Sequence, residues 1–450
     1  MIYLLCLVFL FLLVICYFIF KKELATPSII LCFVYLVSSI CACLNVDEWG
    51  IKLSNKTFLV FVLGAIEFIL INFIVFKFFK VKNKANSKYH FNEIKINRIL
   101  LILLIIYDII VLFLLYKNVL NIANRYGEYS SFSQALTIFK NHTSYNKDAS
   151  LPGYLTILMK PIVAGAYVSI YIFLNNIFAS KNKIKVSIKN NFIYLIFPIL
   201  YIIQRFMESN RGSILNLFVS LVVLLIIMWS IRNQWKKIVS IKSILKLIVC
   251  AIVGLLLFYY SASLVGRINN KNLYRYVTYY VGGSIECFNR WFDFPDRIES
   301  FRGEYTFART VNDLNQLHIT DKKVINKNYS KFVYYKGKMV GNIYTAYRSW
   351  IHDFGIIGMI VLQAIYSFVI SVLYYLVRYG KSNKWYPYKI IIYGYLSYTI
   401  FMHPIDSYFY LETFTKSTLF LFIMIIVMLW FANNYRSLCE KIKSRKEKNI

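Results

Sequence analysis

The chain is a succession of apolar runs separated by polar connectors. The runs cover 2–20, 28–44, 57–76, 98–117, 154–175, 192–207, 212–231, 244–262, 355–377, 389–403 and 416–433. A helix rises about 1.5 Å per residue, so roughly 20 apolar residues cross the hydrocarbon core of a bilayer. The pattern predicts an all-α fold, a single polytopic integral membrane domain over 1–450 with about eleven transmembrane helices. The first run, Ile2 to Phe20, has no basic leader or small-residue cleavage site and is followed by Lys21-Lys22. It reads as an uncleaved first helix.

The connectors carry the orientation. Lys21-Lys22, Lys77 to Lys95, Lys181 to Lys189, Arg232 to Lys246, Arg378 to Lys389 and Arg436 to Lys448 all fall on one side of the predicted membrane. Basic loops stay in the cytoplasm, so the N-terminus is expected outside and the C-terminus inside. Two long segments, 118–153 and 263–354, then lie on the outer face. The second holds 14 Lys and Arg against 8 acids, an excess on the side where cations should be sparse, and it is rich in aromatics. It is expected to fold as a large extracytoplasmic cap. Within it, residues 341–354 project Ile343, Tyr347, Trp350, Ile351 and Phe354 onto one helical face and Thr345, Arg348, Ser349 and His352 onto the other. That separation predicts an interfacial helix on the outer leaflet.

Composition changes this picture little. Hydrophobic residues make up 58% of the chain and the mean hydropathy is +0.55, beyond a soluble protein. The abundance of Phe, Tyr, Ile, Lys and Asn reads as coding bias without functional meaning. The net charge of +31 is distributed among the connectors and forms no single stripe, so no nucleic-acid partner is expected. Cys6, Cys16, Cys32, Cys41, Cys43 and Cys250 sit in apolar runs, Cys439 in the tail and Cys287 in the large loop, with no disulfide framework or zinc spacing. No P-loop, Rossmann glycine pattern or Asp-x-Asp pair is present, so neither a metal nor a nucleotide cofactor is expected.

Charge near apolar runs marks the candidate chemistry. Runs 192–207 and 212–231 are joined by about four residues, a tight hairpin on the outer side. Ser209 or Asn210 can cap the second helix, whose free N–H groups would sit beside Arg211 and Arg205. Such an arrangement suits phosphate or pyrophosphate, although basic residues near span ends also snorkel to headgroups. Glu208 reads as an orienting partner for the two arginines. His352 and Asp353 form a second candidate pair, with Arg348 one turn earlier, though packing and capping are the plain alternatives. Glu67 and Asp108 fall mid-span and suggest either mutual hydrogen bonding or a proton path, the best support for a transporter. No inverted repeat or pair of broken helices accompanies them.

Three features together carry a resemblance. They are the Glu208-Ser209-Asn210-Arg211-Gly212 turn, the large outer loop, and Gly341-Asn342-Ile343-Tyr344-Thr345 running into Asp353-Phe354-Gly355-Ile356-Ile357-Gly358. The chain resembles the bacterial oligosaccharide repeat unit polymerases, the Wzy-type O-antigen and capsule polymerases, over about 190–377, and by topology alone in its N-terminal third. The resemblance implies a membrane glycosyltransferase similar to the GT-C type, in the bacterial cytoplasmic (inner) membrane, acting on the outer face without metal or nucleotide. It implies a polyprenyl-pyrophosphate-linked oligosaccharide as donor and a second one as acceptor, with membrane lipid, a flippase and a chain-length regulator as partners. Arg211 and Arg205 would engage the pyrophosphate, and Arg348 or Arg267 would act as further clamps. Asp353 or His352 would serve as base, and Glu208, Asn210, Asn342, Tyr344 and Thr345 would line the substrate site.

The chain departs from its relatives in two ways. The paired Arg-x10-Gly pattern of some polymerases is absent at Arg205, Arg211 and Arg267. The His-Asn pair of the related ligases is replaced by Gly341-Asn342, and His352 does not inherit that histidine's role. The competing expectations are a lipid-linked oligosaccharide flippase or other transporter, an O-antigen-type ligase, and a different membrane glycosyl- or acyltransferase.

Overall fold

A computed structural model describes residues 1–82, 89–145, 148–180, 184–240, 273–295, 301–324 and 331–448, with isolated positions between 242 and 260. The longer helices are α1 (Ile2–Ile19), α2 (Pro27–Cys43), α3 (Asn55–Lys82), α4 (Arg98–Tyr126), α5 (Phe132–Lys140), α6 (Lys160–Ala179), α7 (Ile196–Met207), α8 (Arg211–Arg232), α9 (Leu273–Asp293), α10 (Ala308–Gln316), α11 (Ala346–Arg378), α12 (Tyr386–Leu396) and α13 (Lys416–Lys448). A two-stranded antiparallel hairpin, β1 (Val333–Tyr335) and β2 (Lys338–Gly341), precedes α11.

Eight described helical stretches are long and apolar enough to cross a bilayer: Ile2–Ile19, Asn55–Val81, Arg98–Tyr126, Gly153–Ala179, Ile184–Met207, Arg211–Arg232, Ala346–Arg378 and Lys416–Tyr435. Their outward faces are apolar. Leu7, Phe11 and Phe18 of α1 are each more than 60% exposed, and Ile99, Leu103, Ile110 and Phe113 of α4 are exposed as well. Water would penalise such surfaces on helix after helix, whereas lipid does not. The chain is thus mostly helical and has the make-up of a membrane protein.

Two of the eleven expected spans differ, and a third is largely undescribed. α2 is apolar but only 17 residues long. The 389–403 run breaks into α12 and a short helix, Tyr398–Phe401, ahead of Pro404. The 244–262 run lies largely outside the described residues.

The chain divides into two compact units. The first comprises residues 1–87, 238–240 and 271–419. Here α1 and α2 form an antiparallel pair, α2 packs on α3 and α9, and α3 packs on α11. Buried tyrosine hydroxyls hold these helices together: Tyr375 donates to Asn72 Oδ1 at 2.7 Å, Tyr393 to the Ala25 carbonyl at 2.6 Å and Tyr410 to the Leu362 carbonyl at 2.7 Å. Apolar side chains gain little by leaving lipid for a helix interface, so such bonds carry the specificity. At one end of the unit Glu23 accepts from Arg378 Nε at 2.7 Å and Tyr374 Oη at 2.8 Å. At the other, Arg290 donates to Glu286, Trp49 O and Tyr334 O, tying three segments together. Burial pushes the Glu286 carboxyl above its ordinary range even beside that guanidinium.

The described parts of the 263–354 segment are folded. α9 wedges between α2 and β2, and two glycines permit this: a Cβ on Gly282 would lie 2.7 Å from the Cys41–Ala42 backbone, and one on Gly283 would lie 2.6 Å from Val340 O. The β-hairpin turns on Lys336 (φ 45°) and Gly337 (φ 76°), two left-handed residues as a two-residue hairpin turn requires. The interfacial helix expected over 341–354 is different in kind. Residue 341 ends β2, the helix begins at Ala346, and both expected faces are covered by protein: Tyr347 and Trp350 on one, Arg348, Ser349 and His352 on the other. A face buried against protein side chains is not free to lie on a leaflet.

The second unit comprises 88–237, 241–270 and 420–450. α6 is its most enclosed span and packs on α7 and α8. Asn176 of α6 exchanges hydrogen bonds with the backbone of Ile94 and donates to Asn191 Oδ1 at 2.8 Å, fixing the connector ahead of α4. The 118–153 segment also carries structure: Ser131 caps α5 by accepting from Gln134 N, and α5 packs on α4.

Candidate functional site

Three residues, 208–210, join α7 to α8. α7 closes in a Schellman arrangement, with Ser209 N donating to Phe206 O at 2.9 Å and Asn210 N to Arg205 O at 2.8 Å. This sets Ser209 at φ 52°, a left-handed position where a residue other than glycine is held at a cost of ~1–2 kcal/mol. Asn210 then opens α8, its Oδ1 accepting from Ser213 N at 3.3 Å, so Asn210 is the cap of the two expected candidates.

Arg211, the first residue of α8, is 3% exposed. It is enclosed by protein, which excludes the reading that it snorkels to headgroups. Arg205 pairs with Glu208 at 2.5 Å and lies 4.9 Å from the Tyr201 ring centroid, while Gln204 donates to the other Glu208 oxygen. Glu208 thus pairs with Arg205. The sequence reading missed Lys140, at the end of α5, whose Nζ donates to Ser209 O at 3.1 Å. Lys140 thus joins Arg205 and Arg211 at the hairpin that opens α8, where Arg205 is paired with Glu208. The helix dipole disfavours cations there by ~0.3–1 kcal/mol, and the arrangement gains stability when an anion sits among them.

The first unit holds the second cluster. The Arg348 guanidinium lies 4.2 Å from the Tyr344 ring centroid, 5.4 Å from Tyr305 and 5.6 Å from Trp291. One turn later, His352 Nδ1 meets Asp353 Oδ1 at 3.1 Å, and its ring centroid is 4.1 Å from that of Tyr305. Asp353 also accepts from Tyr305 N at 3.2 Å and Thr306 N at 2.7 Å. Three N–H groups thus converge on the one Asp353 carboxylate. It caps neither α11 nor its second half; it pins segment 304–306. His352 Nε2, on the far side of the ring from Asp353, is buried with no hydrogen-bond partner among the described residues. Trp291 Nε1 and Thr345 Oγ1 are buried in the same condition. The side chains of His352 and Asp353 have no solvent exposure.

Of the remaining expected site residues, Tyr344 donates through its hydroxyl to Lys331 O at 2.9 Å, and Asn342 Oδ1 accepts from Tyr279 at 3.3 Å. Thr345 precedes α11 and is fully buried. Arg267 lies outside the described residues. Trp291 and Tyr305 were missed, being remote in sequence from α11. Glu67 lines an apolar groove of about 530 Å³ between α3 and α11 in the first unit, with Lys56, Phe292 and Ile356. Asp108 lines an apolar cavity of about 540 Å³ with Tyr107, Ser169 and Trp430 in the second. Among the described residues no three His, Cys, Asp or Glu side chains converge to hold a metal ion.

No family model, curated protein or solved structure matches the chain.

Proposed function

We propose that this protein polymerises polyprenyl-pyrophosphate-linked oligosaccharide repeat units on the outer face of the cytoplasmic membrane, as a glycosyltransferase of the Wzy-type polymerase class. The observation that carries this reading is the buried Arg211 at the start of a capped α8, beside the ion-paired Arg205 and the Lys140 ammonium. Breaking a glycosyl-pyrophosphate bond separates an oxocarbenium-like sugar from a polyanion, and preorganised cations and helix N–H groups stabilise that anion most where water is scarce. Pyrophosphate is a good leaving group, so the demand for acid catalysis is small. What remains is to hold the acceptor hydroxyl and remove its proton. Within the first unit, Arg348 with its aromatic rings, next to the His352–Asp353 pair, offers sugar-stacking and charge that suit a glycan.

The reading is tested in cells by Arg211 variants at equal expression. Arg211→Ala is expected to abolish polymer. Arg211→Lys is expected to retain little, because the planar fork that grips two phosphate oxygens is lost. Wild-type glycan length in the lysine variant would overturn the assignment. A flippase draws on Glu67 and Asp108, each lining an apolar cavity, and reverses the ranking: Glu67→Gln and Asp108→Asn would then outweigh Arg211→Ala.

A further inference from the structure

The chain has eight cysteines, and the two helices at its N-terminus hold five of them. α1 and α2 run antiparallel around the turn at 20–26, which aligns Cys6 with Cys43 far from the turn and Cys16 with Cys32 near it. Cys6 Sγ and Cys43 Sγ are 3.2 Å apart, and both residues are half-buried. Cys16 and Cys32 also meet through their thiols, but both are enclosed completely.

We propose that Cys6 and Cys43 form a disulfide that staples α1 to α2 at the end of the pair away from the turn. The compartment follows from the basic residues. Lys21 and Lys22 place the turn on the cytoplasmic side, so the Cys6–Cys43 end faces outward, where disulfides persist. Cys43 closes α2 and Cys6 lies near the first turn of α1, so the pair sits at the rim of the two helices, where an oxidising protein disulfide of the cell envelope meets it. One thiolate attacks the carrier's disulfide, forming a mixed disulfide and releasing a carrier thiol. The second thiolate then displaces the remaining carrier sulfur. The two cysteines lose two protons and two electrons, and the carrier's disulfide is reduced to a dithiol. Cys16 and Cys32 have no such access and stay reduced.

The staple has a mechanical role. α1 presents much of its surface outward and is held by α2 and α3. The outward end of α2 is the ledge for α9: Ser38 Oγ donates to Val281 O at 2.7 Å, Tyr274 donates to Leu44 O at 2.8 Å, and Gly282 sits on the Cys41–Ala42 backbone. Since α9 carries Trp291, a fixed α2 end supports one wall around Arg348.

The test is differential alkylation of the wild-type protein from aerobically grown cells. Free thiols are trapped with one maleimide in denaturant, so that enclosed thiols react too, and the protein is then reduced and treated with a heavier one before peptide mapping. Cys6 and Cys43 are expected to carry the heavy label, and Cys16 and Cys32 the light one. In a Cys6→Ser variant, Cys43 should switch to the light label, while Cys16→Ser should leave the pair unchanged. Light label on Cys6 and Cys43 in the wild type would overturn the proposal. So would heavy label on Cys43 that persists in Cys6→Ser, since that would mean pairing with another cysteine such as Cys41. The wild-type measurement stands even if a variant fails to accumulate.

Discussion

Asp353 and His352 are neighbours in sequence with different work to do. The aspartate takes two backbone N–H groups from the 304–306 segment, whereas the histidine keeps a buried ring nitrogen without a partner among the described residues. Asp353→Ala would leave those amides unsatisfied, at about 1–3 kcal/mol each. It is expected to lower the thermal unfolding midpoint together with polymer synthesis. His352→Gln removes the ring nitrogen while filling much of the same volume. It is expected to reduce polymer at least tenfold with the midpoint nearly unchanged, measured as glycan length beside thermal unfolding in detergent. Full-length glycan from His352→Gln would reduce the ring to packing against Tyr305. At this scale the sequence offered candidate residues and not their partners. Trp291, Tyr305 and Lys140 come from elements far along the chain, and no local spacing connects them to Arg348 or to Ser209.

Two backbone positions set the elements that present these residues. Gly355 breaks α11 at φ 70° and ψ −172°, a conformation nearly confined to glycine, and a Cβ there would meet nothing within 4 Å. The cost of Gly355→Ala is therefore backbone strain alone, about 1–3 kcal/mol. Gly358 completes the motif differently, because Phe354 Cβ occupies the space where its own Cβ would stand. Ser209 is the opposite case, a side chain tolerated in a left-handed cap. Ser209→Gly should raise the unfolding midpoint, by a stabilisation of about 1 kcal/mol. A fall in the midpoint would mean that the Ser209 hydroxyl does structural work the backbone geometry does not explain. The Asp-Phe-Gly-x-x-Gly pattern was legible as a helix start, since glycine spacing survives in sequence. The burial of 346–354 was not. A segregated helical wheel cannot distinguish a helix lying on lipid from one enclosed by tyrosines and tryptophans, and here the aromatic partners come from α2, α9 and residues near 403.

On the scale of the whole molecule, the apolar runs were legible because the bilayer fixes both their length and their composition. The 389–403 run misled because Ser397 and Pro404 divide an otherwise apolar stretch into short helices. The tyrosine content, which sequence attributes to coding bias, proved to be the bonding between helices in the first unit. The cationic hairpin and the Arg348–His352 cluster belong to separate compact units, and each has its own reason to meet an anionic glycan lipid. The most direct measurement is the fate of a radiolabelled repeat unit on polyprenyl pyrophosphate in liposomes containing the purified protein. The account predicts a ladder of longer lipid-linked glycans, with polyprenyl pyrophosphate released in step and no ladder from Arg211→Ala. Repeat units that remain single while moving between leaflets would contradict it and make the protein a transporter.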